Sequence, residues 1–130
     1  MGKEEKANAY LIARAMLSRA KEWHKLCDEH TKGEMVATPK PITDEKGITS
    51  YVYTYEPANP GVVAREIQDR IAGMDTDTRE LVFGEISQIA EESQQQIAEN
   101  DGSWNCPAGE TMRACNALNS FRTFVEEKEA

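Results

Sequence analysis

Cysteine is scarce in this chain of 130 residues, which contains three: Cys27, Cys106 and Cys115. The number is odd, and Cys27 lies far along the sequence from the other two, so a disulfide framework is not expected. If Cys106 and Cys115 share one helix, their separation in sequence sets them about 13 Å apart along its axis, beyond disulfide reach. Reduced thiols are the expectation. Proline and glycine are absent from about Glu4 to His30, which excludes a turn over that span. No apolar run approaches the roughly 20 residues of a membrane span. The opening Met1-Gly2-Lys3-Glu4-Glu5-Lys6 lacks the apolar h-region of a signal peptide. Lys6 stands where the myristoylation pattern wants Ser or Thr, so acylation at Gly2 is not expected. These absences point to a cytoplasmic protein without membrane attachment. Catalytic signatures are lacking too: there is no Walker loop, no dinucleotide fingerprint and no His-Glu-x-x-His. The expectation is a protein that is not an enzyme and carries no cofactor.

Charge and helical periodicity are plentiful. Charged residues make up 29% of the chain and the net charge is −8, yet the apolar residues fall in periodic runs, which argues for a folded chain. Ala9, Ile12, Met16, Ala20, Trp23, Cys27 and His30 recur at spacings of three and four and predict a long amphipathic helix over residues 4–31. Its stripe is close to a heptad seam, so it could pair with a second helix of the same chain or of another copy, and a homodimer through this helix is a second expectation. Lys32-Gly33 supplies a basic last turn and a glycine able to adopt the left-handed conformation.

Residues 35–56 change character. Thr38-Pro39-Lys40-Pro41-Ile42 is extended, Asp44-Glu45-Lys46-Gly47 is turn-forming, and Ile48 to Tyr55 is rich in β-branched and aromatic residues, so a β-hairpin is predicted. Pro39 and Pro41 lack an amide donor, which confines their arm to an edge or to loose pairing. On the second arm Tyr51, Tyr53 and Tyr55 share one face, and Ser50, Val52 and Thr54 the other. Three aromatics on one side of a strand usually pack against a helix. If the Val52 face packs inward instead, the rings stand outside, suited to a protein interface or to stacking on a base. Alternation does not choose between these orientations.

Residues 59–127 read as about three helices. Asn59-Pro60 caps the first, with Val63, Ile67, Ile71 and Met74 on one side and an end near Gly73. A new start at Asp75 or Asp77 leads into Leu81, Val82, Phe83, Ile86, Ile89, Ala90 and Ile97, and Asn100-Asp101-Gly102 stops it. Pro107 opens the last helix, with Met112, Cys115, Leu118, Phe121 and Val125 buried and Glu126-Glu127-Lys128-Glu129 expected to fray. The predicted fold is α+β, mostly α: one domain over residues 1–130, with a long N-terminal helix, a hairpin and three helices around one core.

The charge is unevenly placed. Residues 1–56 hold nine basic and nine acidic side chains, whereas residues 57–130 hold six basic and fourteen acidic. Asp75, Asp77, Glu80, Glu85, Glu91, Glu92, Glu99 and Asp101 are opposed in their span only by Arg79. Glu85, Glu92 and Glu99 repeat every seven residues and stack along one helix face. Most such faces are solvated surface that keeps a protein soluble. The sharper reading is a nucleic-acid-like field presented to a basic groove. Direct nucleic-acid binding is disfavoured by repulsion, and the basic residues Arg14, Arg19, Lys21 and Lys25 are mixed with Glu22, Asp28 and Glu29.

Two constellations bear on metal and thiol chemistry. His24, Cys27 and His30 have ligand types at intervals of three, but the outer two are turned about 120° apart on a helix, so a zinc site would need Cys106 or Cys115 as well. Cys106 before Pro107 falls at a helix N-terminus, where the dipole favours a thiolate, yet no base or oxyanion site accompanies it. Glu91-Glu92 and Glu126-Glu127 point in different directions on a helix and make poor acid-base pairs.

The function expected is that of an acidic protein-interaction module, contacting a protein partner with a basic surface through Tyr51, Tyr53, Tyr55, Glu85, Glu92 and Glu99. Small acidic proteins of this kind include inhibitors that phages and mobile elements encode to block a host factor, an association of type carried by no motif here. A small-ligand or nucleotide site on the tyrosine strand is the alternative. A zinc-containing domain or enzyme is the second alternative.

Overall fold

In the computed structural model, which describes residues 3–130, the order is α1 (Lys3–Lys32), β1 (Met35–Thr43), β2 (Thr49–Pro57), α2 (Pro60–Ala72), α3 (Thr76–Glu99) and α4 (Pro107–Glu129). Gly2, the acylation position considered above, lies outside the described residues. The α+β, helix-dominated reading is correct, and each element falls within a few residues of its predicted span. No described helix is long and apolar enough to cross a membrane.

Local chemistry sets the boundaries. The α1 helix ends in a Schellman closure: Gly33 has φ +72°, its N–H donates to the His30 carbonyl, and Glu34 N–H donates to the Glu29 carbonyl. Asn59 Oδ1 accepts from Gly61 N–H at 3.2 Å to start α2, and Asp75 Oδ1 accepts from Thr78 N–H at 2.7 Å to start α3. Asp101 and Gly102, with φ of 55° and 73°, close α3, and Gly102 N–H reaches the Ile97 carbonyl.

The four helices run alternately up and down around one core. His30 Nδ1 lies 3.0 Å from the Ala58 carbonyl and Arg19 pairs with Glu66, so α2 descends along α1. Trp23 meets Phe121 edge to face, and Arg122 pairs with Glu80, so α4 runs antiparallel to both α1 and α3. The fully buried side chains Met16, Ile71, Ile86, Leu118, Val82 and Cys115 come from all four helices. Removing this apolar surface from water is the main stabilising term.

Two expectations need correction. The stripe on α1 is wider than the heptad seam: Ala13 and Leu17 are buried beside Ala9, Met16 and Ala20, because three helices of the same chain surround it. Those residues pack in the chain's own core, the same-chain pairing that the seam allowed. The C-terminus does not fray at Glu126; α4 continues to Glu129, because Arg79 reaches it with two guanidinium hydrogen bonds at 2.7 and 3.1 Å. The same guanidinium donates to the carbonyls of Ile71 and Met74, tying the end of the chain to the α2–α3 turn.

Candidate functional site

The hairpin is antiparallel, with Pro41 opposite Tyr51, Pro39 opposite Tyr53 and Ala37 opposite Tyr55. Its turn is held by Asp44, whose Oδ1 accepts from the N–H groups of Lys46 and Ile48 at 2.9 Å, with Gly47 at φ +81°. Thr43 and Thr49, the cross-strand pair next to the turn, share a hydroxyl hydrogen bond. Strands of nine residues make an arm about 30 Å long.

This arm is not covered. Its base rests beside α1, where Glu22, Leu26 and Glu29 face Val36, Ala37 and Thr38 across a shallow groove. From Pro39 to Tyr55 every residue is exposed, on both faces. Tyr51, Tyr53 and Tyr55 are 62%, 67% and 75% exposed, and Val52 and Ile42 on the opposite face are exposed as well. The rings stand outside, as in the second orientation weighed from the sequence, but the Val52 face meets α1 only at the base, where Val36, Thr38 and Glu56 are half-buried, and is exposed from Lys40 to Thr54. Sequence reasoning also missed Pro39, Pro41 and Ala37 as members of the tyrosine face. They are opposite the rings in closely spaced cross-strand pairs. The turn at Asp44-Gly47 carried that signal, because turn length fixes register.

The acidic row lies elsewhere. Glu85 is half-buried at the flank of the α3 core stripe, and Glu92 and Glu99 are exposed. None of the three has an ion-pair partner among the described residues. Arg79, the one cation of the span, is drawn to Glu129, and Glu80 is held by Arg122. The structure does not join this row to the tyrosine face. It does place Glu99 at the end of the bundle from which the hairpin leaves, since the α3–α4 loop and the α1–α2 connection share that end.

The histidine and cysteine constellation is dispersed. His30 is engaged with the Ala58 carbonyl, His24 packs edge to face on Trp23, and Cys115 is buried with its thiol 3.9 Å from the Ile86 carbonyl. No group of three or more His, Cys, Asp or Glu side chains converges on a metal position among the described residues. Burial pushes the Cys115 thiol up, and burial together with the neighbouring Asp28 carboxylate does the same to Cys27. Cys106 precedes α4 without a side-chain capping bond; its thiol donates to the Ser103 carbonyl instead. The cleft between α1 and α4 is lined by Lys21, Lys25 and Arg113 but also by Asp28 and Glu110, a mixture that gives no single-sign field.

Comparison of the chain with protein-family models, with curated proteins and with solved structures finds no match.

Proposed function

We propose that this chain is a non-enzymatic, acidic protein-interaction module whose partner is engaged by the tyrosine face of the hairpin and steered by the α3 carboxylates. The observation that carries this reading is the arm itself. Tyr51, Tyr53 and Tyr55 stand on a strand that is exposed on both faces from Thr49 to Tyr55. Tyrosine is a favoured residue of protein interfaces because a large rigid ring and a polar hydroxyl sit on only two rotatable bonds. A two-stranded ribbon is of marginal stability alone, so covering either face also stabilises the arm.

The unpaired row Glu85, Glu92 and Glu99 supports a partner of basic surface. Its field adds to association rate and orientation more than to contact energy. A partner whose basic groove binds nucleic acid fits this field, and blocking that groove is the inhibitory form of the proposal. The site is cytoplasmic in this reading.

Capture from a nuclease-treated lysate tests it, with wild type beside a Tyr51→Ser, Tyr53→Ser, Tyr55→Ser variant. The expected result is one dominant partner, lost with the variant while helical circular dichroism is unchanged. Equal recovery on both baits removes the tyrosine face from the proposal.

A further inference from the structure

The two edges of the hairpin differ chemically. Residues of an antiparallel strand turn their N–H and C=O alternately toward the paired strand and away from it. Asp44 N–H donates to the Ile48 carbonyl at one end, and Ala58 N–H to the Glu34 carbonyl at the other. With the observed register, these two bonds make the even-numbered residues inward and the odd-numbered residues outward. On β1 the outward positions include Pro39 and Pro41, which have no N–H to offer. On β2 they are Thr49, Tyr51, Tyr53 and Tyr55, each with a donor and an acceptor on an exposed residue. One edge is closed to further pairing and the other is open along most of its length. Long open edges without proline or charge are templates for strand addition.

We propose that the β2 edge pairs with β2 of a second copy of this chain, antiparallel about a two-fold axis at Tyr53, forming a four-stranded sheet of order β1-β2-β2-β1. A two-fold interface requires a self-complementary surface. In this register Tyr51 of one copy lies opposite Tyr55 of the other, Val52 opposite Thr54, and Ser50 opposite Glu56, so no like charges are opposed. The outward N–H groups of Thr49, Tyr51, Tyr53 and Tyr55 each meet a carbonyl, and Pro57, which has none to give, falls at the end of the ladder.

Charge favours the same occupant. The turn of one copy comes level with Ala58 of the other, next to the start of α2. The turn carries Asp44, Glu45 and Lys46, one net negative charge, beside exposed Ile48; the α2 start carries exposed Val62 and Arg65, and Arg65 has no ion pair among the described residues. The product is also finite, because both outer edges of the four-stranded sheet are β1 with its prolines. Pairing through backbone leaves the rings of both copies on one face of the sheet, free for other contacts. The inference concerns the backbone edge and stands whether or not those rings bind a partner.

Sedimentation equilibrium of the whole chain from about 10 μM to about 1 mM, with amide exchange followed by NMR, tests the proposal without any partner. The mean mass is expected to rise from 14.6 kDa toward twice that value. Across the same range exchange at the amides of Tyr51, Tyr53 and Tyr55 is expected to slow by about tenfold or more. Tyr53→Pro deletes an outward donor but none of the hairpin's own bonds, and should remain at 14.6 kDa. Tyr53→Ser keeps the N–H and should still dimerise. A mass that stays at 14.6 kDa throughout overturns the proposal, as does doubling that persists in Tyr53→Pro. Doubling that leaves the three amides unprotected also overturns it, and assigns association to the rings instead. Should the proline disrupt the arm, amide protection in the wild type decides alone.

Discussion

Gly109 lies against the backbone of Trp104: a Cβ built on it would be 1.9 Å from the Trp104 carbonyl oxygen. The obstacle is main chain, not the end of a flexible side chain, so the loop before α4 has to move. Gly109→Ala is therefore expected to cost roughly 2–3 kcal/mol, measured by urea unfolding. A change within about 0.5 kcal/mol would mean that this loop yields freely. Arg79 and Glu129 make a second residue-level test. The hydrogen bond from Arg79 holds the Glu129 carboxyl below its ordinary range. A folded-state value depressed in this way contributes stability above the unfolded pKa and loses it as pH falls through the folded one. The melting temperature of Glu129→Gln should lie below that of the wild type at pH 7, and the gap should close as pH falls below about 4. A gap of constant size at all pH values would show that the clasp is not ionic.

At the scale of elements, α1 through α3 were legible because their ends carry explicit chemistry, and the start of α4 because Pro107 stands in its first turn. Gly33 stops α1, Asn59 and Asp75 cap α2 and α3, and Gly102 closes α3, each by the hydrogen bond its side chain or backbone freedom permits. The breadth of the α1 stripe was not legible. Ala13 and Leu17 are buried only because three other helices meet α1, a tertiary fact that spacing does not encode. The hairpin was legible as a hairpin but not as a bare arm. Alternation assigns residues to two faces, and whether anything covers a face depends on where the connecting helices go. Likewise, the persistence of α4 to Glu129 depends on Arg79, fifty residues earlier. The arm's lack of support has a dynamic consequence. In dilute solution its cross-strand amides, such as those of Val52 and Thr54, should exchange at least about tenfold faster than core amides of α3 such as Ile86, because local opening exposes no buried apolar surface. Equal protection in hydrogen exchange would contradict an unsupported arm.

For the molecule as a whole, charge and aromatic surface are divided between parts. The helical bundle carries the net negative charge of its α2–α4 region, and the arm carries the rings. The carboxylates are proposed to act at long range and the rings at contact, so their losses should differ in kind. Exchanging Glu85, Glu92 and Glu99 for Gln should weaken partner binding by roughly three- to thirtyfold at low salt, and the difference should vanish toward about 0.5 M salt as screening shortens the field. Unchanged low-salt affinity would return those residues to the role of solvated surface. The central claim concerns the rings, and the affinity of the captured partner for the Tyr51→Ser, Tyr53→Ser, Tyr55→Ser variant tests it most directly. Three contact aromatics removed together should raise Kd by about a hundredfold or more at every salt concentration, with the helical spectrum unchanged; a Kd within about twofold of wild type would contradict the assignment of the arm as the binding surface.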